Sequence, residues 1–150
     1  MIDAPPNESE VASDLIRIRY VDDYRDTADT AVALLKVAGF DARACYDGES
    51  ALAEAANFQP GICFADLNMP GMDGDELVNR LRSMSDLRPI FLVAVTAMSS
   101  SASSQRIRDA GFDLHMVKPV DPQKLVGIVD AFLQLGEAQT PRMVGFGIKA

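Results

Sequence analysis

Short apolar runs alternate along the chain with longer segments in which apolar residues recur every three or four positions. Five short runs predict β-strands: residues 16–21, 41–46, 61–66, 89–96 and 113–118. Five periodic segments predict helices: residues 25–38, 48–57, 73–84, 99–110 and 122–135. Gly39 is a typical stop after the first helix, and Asp121 followed by Pro122 is a typical start for the last.

The alternation of strand and helix predicts an α/β fold, a doubly wound (βα)5 domain whose parallel sheet carries helices on both faces. The fourth run, PIFLVAVT, is apolar throughout, as expected for a strand that is buried on both sides. The first run differs, because Arg17 and Arg19 alternate with isoleucines. This pattern is typical of an edge strand, with Arg17 outside the sheet. In a central strand, Arg19 needs either solvent or a carboxylate partner.

The length of 150 residues suits one domain with its own core, which we assign to residues 15–135. Residues 1–14 are polar and predict a flexible arm, and residues 136–150 form a short tail without an output domain. A formal charge of −8 disfavours nucleic-acid binding and an anionic membrane surface. The chain has neither a membrane-spanning apolar run nor a signal-peptide pattern. We therefore expect a cytoplasmic protein with two buried free thiols, Cys45 and Cys63.

Polar side chains stand where four of the predicted strands end: Asp22, Asp23, Asp66, Thr96 and Lys118. Each has an ordinary interpretation, because Asp caps helices and turns, Thr favours strands and Lys is usually solvated. The carboxyl ends of parallel strands nevertheless meet at one edge of the sheet, where open α/β folds bind ligands. Three carboxylates crowded there need a compensating cation, and Mg²⁺ prefers such oxygen ligands. With a lysine and a hydroxyl added, the set is suited to phosphoryl transfer.

Four blocks carry a resemblance to a known family. VDD at 21–23, FADLNMPGMDG at 64–74, AVTA at 94–97 and VKPV at 117–120 resemble the receiver domain of bacterial two-component response regulators. The blocks occur in the order of the family, each at the end of a predicted strand, and the match covers about residues 15–135. The resemblance implies the flavodoxin-like receiver fold, with a strand order of 2-1-3-4-5.

The resemblance also implies a phosphoacceptor site. Asp66 would accept a phosphoryl group from a histidine kinase or a histidine phosphotransfer protein. Asp22, Asp23 and Asp66 would hold Mg²⁺, with Asp23 a direct ligand and Asp22 acting partly through water. Asn68 would add its backbone carbonyl as a further metal ligand. Lys118 would pair with the phosphoryl oxygens, and its bond to the following proline would be cis.

A conformational switch is implied on the same basis. Thr96 would turn towards the phosphoryl group, and partner proteins would dock on the face formed by the fourth helix, fifth strand and last helix. His115 occupies the position of a family aromatic residue that fills the space behind this threonine. Because histidine is the side chain whose charge ordinarily changes close to neutral pH, we hypothesise that the active state is sensitive to pH near about 6–7. An unchanged pH dependence of phosphorylation in His115→Phe would contradict this hypothesis.

Two alternatives remain open from the sequence. The first is a receiver-like module that binds partners without phosphorylation, although all the expected positions are intact. The second is a phosphohydrolase of the haloacid dehalogenase type, but such enzymes usually carry an acidic residue two positions after the nucleophile, where this chain has Asn68. The receiver resemblance implies an autocatalytic phosphoryl acceptor that dephosphorylates itself, and no conventional enzyme. It acts either alone or as part of a longer regulator or hybrid kinase.

Overall fold

A computed structural model describes residues 16–84, 89–97 and 101–138 of the chain. The strands are β1 (Arg17–Val21), β2 (Asp41–Cys45), β3 (Ile62–Asp66), β4 (Phe91–Thr96) and β5 (Leu114–Val117). The helices are α1 (Arg25–Val37), α2 (Gly48–Phe58), α3 (Gly74–Ser83), α4 (Ser101–Ala110) and α5 (Pro122–Ala138). The predicted arm at 1–14 lies outside the described residues. Helix α5 continues three residues past its expected end, so the first three residues of the predicted tail at 136–150 are helical. The rest of that tail, from 139 onward, lies outside the described residues.

The five strands form one parallel sheet in the order β2-β1-β3-β4-β5, which confirms the predicted doubly wound fold. The register aligns the carboxyl ends of neighbouring strands. Val21 of β1 is opposite Ala65 of β3, and Asp66 is opposite Val95 of β4. The residues that follow β1, β3, β4 and β5 therefore emerge at one edge of the sheet, as the sequence predicted.

A hydrophobic layer lies on each face of the sheet, because alternate strand residues point to opposite sides. On one face, Tyr20 and Phe64 stack with ring centroids 5.5 Å apart and pack with Leu35 of α1 and Val129 of α5. On the other face, the layer contains Cys63 of β3 together with residues of α2 and α3. Helices cover both faces, so β3 and β4 are buried along their whole length.

Strand β1 lies in the middle of the sheet, so the expectation of an edge strand with Arg17 outside the sheet was wrong. Arg17 pairs in register with Asp41, and its Nη1 donates to the carbonyl of Phe58 at 2.9 Å. Arg19 is only 3% exposed and forms an ion pair with Glu54 at 2.8 Å. Its guanidinium also lies 4.7 Å from the centroid of the Phe58 ring. Helix α2 thus supplies the carboxylate and the aromatic surface that let an arginine occupy a central strand.

Several local signals act as the sequence predicts. Gly39 ends α1 with a φ of +100°, a conformation that favours glycine. Asp121 precedes α5 and accepts a hydrogen bond from the backbone N of Gln123 at 2.9 Å. Cys45 and Cys63 are buried free thiols. Burial raises the pKa of Cys45 to about 11 and that of Cys63 to about 12, which keeps both thiols protonated near neutral pH.

Candidate functional site

Three carboxylates meet at the carboxyl edge of the sheet. Asp22 and Asp23 follow β1, and Asp66 is the last residue of β3. Each offers an oxygen within 4.8 Å of those of the other two. Asp22 is fully buried, Asp66 is 7% exposed and Asp23 faces solvent. The cluster is therefore a pocket with two buried acids below and one exposed acid at its rim.

Backbone hydrogen bonds fix the two buried acids. The backbone N of Asp22 donates to the carbonyl of Cys45 at 3.1 Å, which extends the pairing of β1 with β2 by one residue. The Oδ1 of Asp22 accepts from the backbone N of Tyr24 at 2.9 Å. The Oδ1 of Asp66 accepts a longer bond of 3.4 Å from the backbone N of Asn68. Each acid thus engages the second residue after it, as an aspartate does when it begins a turn, and its other oxygen is left for the pocket.

Lys118 brings a positive charge to these free oxygens. Its Nζ lies 3.1 Å from Oδ2 of Asp22 and 3.3 Å from Oδ2 of Asp66. The first contact is an ion pair only, because no described residue gives Oδ2 of Asp22 a hydrogen bond of favourable angle. The Lys118–Pro119 peptide is cis, as the resemblance implied. The structure thus gathers Asp22, Asp23, Asp66 and Lys118 around one hollow.

The electrostatics of the pocket favour an added cation. Burial raises the pKa of Asp66 above its usual range, and the neighbouring charge of Asp22 raises it further, while Lys118 lowers it without fully compensating. For Lys118, burial disfavours the charged form, but its contact with Asp22 and the charge of Asp66 raise the pKa overall. One ammonium group therefore does not neutralise the acids fully.

A glycine allows the loop after Asp66 to fold tightly against the strand. The backbone N of Gly74 donates to the carbonyl of Leu67 at 3.0 Å. A Cβ on Gly74 would clash with the backbone carbonyl oxygen of Asp66. Gly71 has a φ of +82°, so the turn between them also needs glycine. These two residues explain the turn-rich segment that follows the acidic strand end.

The two predicted switch residues occupy different environments. Thr96 is 1% exposed at the end of β4, and its carbonyl accepts from the backbone N of Lys118 at 2.8 Å. His115 is exposed on β5, where it is in register with Ala94. The inward turn of Thr96 and the pH sensitivity assigned to His115 remain predictions.

Arg106 on α4 also contacts the site, and no pattern in the sequence predicted it. Its guanidinium contacts Asp75 at 2.7 Å, the Oδ1 of Asn68 at 2.8 Å and the carbonyl of Leu67 at 3.2 Å. These partners lie 31 to 39 residues away in the chain. An arginine on a polar helix carries no sequence signal for such distant contacts. The predicted metal ligand at Asn68 is its backbone carbonyl, and its side chain is engaged by Arg106.

The donors at the site suit a hard divalent ion. The carboxylates of Asp22, Asp23 and Asp66 and the backbone carbonyl of Asn68 are hard oxygen donors of the kind that Mg²⁺ prefers, with water or phosphate to complete its shell. Asp22 contributes a buried Oδ2 that has an ammonium neighbour but receives no well-directed hydrogen bond within the described part of the chain. The exposed position of Asp23 leaves room at the rim for further ligands. The residues present therefore fit the metal that the sequence predicted.

Comparison with known proteins identifies the family. The family described as response regulator receiver domain matches residues 18–130. This chain belongs to that family. Protein PilG of Pseudomonas aeruginosa is 29% identical over 122 residues, covering 81% of this chain and 90% of PilG. The DNA-binding response regulator MtrA of Mycolicibacterium smegmatis is 32% identical over 131 residues, covering 87% of this chain but only 56% of MtrA.

The receiver fold is also evident in three dimensions. The solved structure of the chemotaxis protein CheY4 of Vibrio cholerae matches with a TM-score of 0.73 at 27% identity, covering 77% of this chain and 97% of CheY4. A CheY-like receiver domain from Methanospirillum hungatei matches with a TM-score of 0.75 at 25% identity, over 83% of this chain. Among the helices that the structure describes, none has the length and apolar character needed to span a bilayer.

Proposed function

We propose that this receiver domain is a phosphorylation switch in which Asp66 accepts a phosphoryl group in a Mg²⁺-dependent reaction. The observation that carries the proposal is the position of Lys118, whose Nζ lies 3.1 Å from Asp22 and 3.3 Å from Asp66. A nucleophilic carboxylate, a metal-binding acid and a fixed cation then share one pocket. This is the set of groups that phosphoryl transfer requires.

The transfer needs few groups from the protein. A carboxylate oxygen of Asp66 attacks the phosphorus of a phosphohistidine on a histidine kinase or phosphotransfer protein. The new P–O bond forms as the P–N bond breaks, and the imidazole nitrogen keeps the electron pair of that bond and takes up a proton. Lys118 offsets negative charge on the phosphoryl oxygens. Attack of water on phosphorus later releases inorganic phosphate and restores the carboxylate.

Asp22, Asp23 and Asp66 would hold Mg²⁺ together with the backbone carbonyl of Asn68. When bound, the ion neutralises the crowded carboxylates and the charge of the transferring phosphoryl group. Asp22 is fixed by its hydrogen bond from the backbone N of Tyr24, so it can present its other oxygen without rearrangement. The domain acts on its own side chain, so we regard it as a self-modifying switch and not as a conventional enzyme.

The output surface is proposed to be the face formed by α4, β5 and α5. A phosphoryl group adds up to about two negative charges next to Thr96 and Lys118, which are adjacent through the end of β4 and β5. His115 and Val117 are exposed on β5, and Val117 is 42% exposed although apolar. A change at Thr96 would therefore be transmitted to a strand that presents side chains to a partner protein.

Intact-mass measurement after incubation with acetyl phosphate and Mg²⁺ tests the proposal. We expect an adduct of one phosphoryl group that survives acid and is lost in base, as an acyl phosphate behaves. It should be absent in Asp66→Asn and in the presence of EDTA, and it should form normally in Asp130→Asn, which changes an exposed acid on α5. Failure of the wild-type protein to form any adduct, with or without a kinase, would favour a phosphorylation-independent binding module.

A further inference from the structure

Arg106 joins helix α4 to the loop that follows the phosphoacceptor. Its Nε lies 2.7 Å from Oδ2 of Asp75, and its Nη2 lies 3.1 Å from Oδ1 of the same carboxylate. The two contacts form the bidentate fork that arginine makes with a carboxylate. The same Nη2 also lies 3.3 Å from Oδ2 of Asp73. The guanidinium is thus held at the first turn of α3.

The remaining contacts reach the metal-binding segment. The Nη1 of Arg106 donates to Oδ1 of Asn68 at 2.8 Å, and its Nη2 donates to the carbonyl of Leu67 at 3.2 Å. Leu67 and Asn68 are the two residues directly after Asp66. The Arg106 side chain therefore forms hydrogen bonds at both ends of the connection between β3 and α3. One of its partners is Asn68, whose backbone carbonyl is the proposed metal ligand.

The loop has a second restraint that supports this interpretation. Asp73 accepts a hydrogen bond from the backbone N of Met69 at 3.1 Å, in place of the side-chain cap that it could give α3. The hydrogen bond with Arg106 also lowers the pKa of Asp75, which keeps this partner charged. The hydrogen bond from Met69 to Asp73 therefore holds the loop together from within, and Arg106 connects residues near its two ends.

We propose that Arg106 is a positioning residue that fixes the Leu67–Asn68 segment and thereby sets the affinity of the acidic pocket for Mg²⁺. Residues that orient metal ligands from outside the coordination shell change metal affinity when they are replaced. Here the control comes from α4, on the proposed output face. The inference rests on the proposed function, because it assumes that Asn68 contributes its carbonyl to a Mg²⁺ site.

Electrostatics alone would give the opposite result. Removing a positive charge close to an acidic pocket should strengthen binding of a divalent cation, because the repulsion between Arg106 and the ion is lost. Loss of positioning should weaken binding. The sign of the change in affinity therefore separates the two effects.

The experiment is a calorimetric titration of the unphosphorylated protein with Mg²⁺, without a phosphodonor. We expect Arg106→Gln to raise the dissociation constant for Mg²⁺ by roughly tenfold, at the lower end of the range for outer ligand-orienting residues. Arg106→Lys keeps the charge but lacks the planar fork, so it should also bind more weakly. Arg108→Gln is the matched control, because Arg108 is on the same helix and its hydrogen bond is to Gln105 of that helix.

The outcomes separate the inference from the proposed function. An unchanged or lower dissociation constant in Arg106→Gln, with Mg²⁺ bound by the wild type, would overturn the positioning role alone. Absence of Mg²⁺ binding in the wild type would contradict both. Circular dichroism checks that Arg106→Gln is folded, and if it is not, the Arg106→Lys titration decides the result. A tenfold weakening in Arg108→Gln as well would also overturn the proposal, since a general disturbance of α4, and not the contacts of Arg106, would then be responsible.

Discussion

At the scale of single residues, the site contains buried carboxylates whose negative charges are unfavourable in the folded protein without a bound cation. Asp66 is 7% exposed and lies next to the fully buried Asp22. Burial and that neighbour raise the pKa of Asp66, and Lys118 only partly offsets the shift. A carboxylate held in this way is available to react, and it makes the metal-free fold less stable than a neutral residue would.

Replacing Asp66 with asparagine should therefore stabilise the protein in EDTA. Because its pKa is raised by folding, Asp66 binds protons more readily in the folded state than in the unfolded chain. The contribution of Asp66 to the stability of the wild type then falls as pH rises above the ordinary carboxyl value of about 4. The advantage of Asp66→Asn should be small at that pH and should grow above it. Chemical denaturation across this pH range measures the difference, and a less stable Asp66→Asn at neutral pH would contradict the prediction.

The tight loop after Asp66 predicts that Gly74 does not tolerate a larger side chain. Gly74→Ala would place a methyl group against the carbonyl of Asp66, so we expect a loss of about 2 kcal/mol or more in the free energy of unfolding. Gly127 lies in α5, and apart from its chain neighbours and its own helix backbone no atom of the described residues lies within 4 Å of the position of an added Cβ. Gly127→Ala should stabilise the protein by about 0.5–1 kcal/mol. Equal effects of the two substitutions in urea denaturation would contradict this assignment.

The sequence identified the residues of the pocket more readily than their contacts. Asp22, Asp66 and Lys118 were predicted because they end or directly follow strands whose carboxyl ends meet in any doubly wound sheet. The contacts of Arg106 could not be predicted, because they depend on how α4 lies against a loop 31 to 39 residues earlier. Strand ends are placed by topology, while helix surface contacts depend on packing angles that a single sequence does not specify.

At the scale of elements, β1 has a sequence pattern typical of an edge strand, but helix α2 allows it to occupy the centre of the sheet. Alternating arginines and isoleucines are typical of an edge strand, yet β1 is central. Glu54 and Phe58 of α2 provide an ion pair and a ring face for Arg19. The predicted second helix ended at residue 57 and so omitted the phenylalanine that makes this environment. The pattern was interpreted wrongly because the compensating residues lie 35 and more positions away.

Glu54 should therefore matter more than an ordinary surface glutamate. Glu54→Ala would leave Arg19 buried without its carboxylate, and we expect a loss of about 1–2 kcal/mol, less than for a fully buried pair because Glu54 is half exposed. Glu49→Ala in the same helix should cost no more than about 0.5–1 kcal/mol, from its place in the first turn.

A double substitution tests the cause of that loss. Replacing Arg19 with methionine in the Glu54→Ala background removes the unpaired charge and keeps an unbranched side chain in the layer. Stability should then recover towards the wild-type value, as expected when a buried ion pair is replaced by apolar groups. Additive losses in a double-mutant cycle from urea denaturation would show that the two side chains do not interact.

At the scale of the whole molecule, the site is assembled from segments that are distant in the chain. The three acids, Thr96 and Lys118 come from the ends of four different strands, and the crossovers of the sheet bring them together. The alternation of strands and helices was enough to predict this convergence, and the resemblance supplied the strand order. The termini assigned to an arm and a tail lie largely outside the described residues.

The central claim is that this convergence makes Asp66 the phosphoacceptor, and locating the phosphoryl group tests it most directly. The protein is treated with acetyl phosphate and Mg²⁺ and then reduced with borohydride, which converts an aspartyl phosphate into homoserine. Tandem mass spectrometry of the digested protein then locates the change. We predict homoserine in place of Asp66 and at no other aspartate, with none formed in EDTA. An unmodified Asp66, or homoserine in place of Asp22 or Asp23, would contradict the claim.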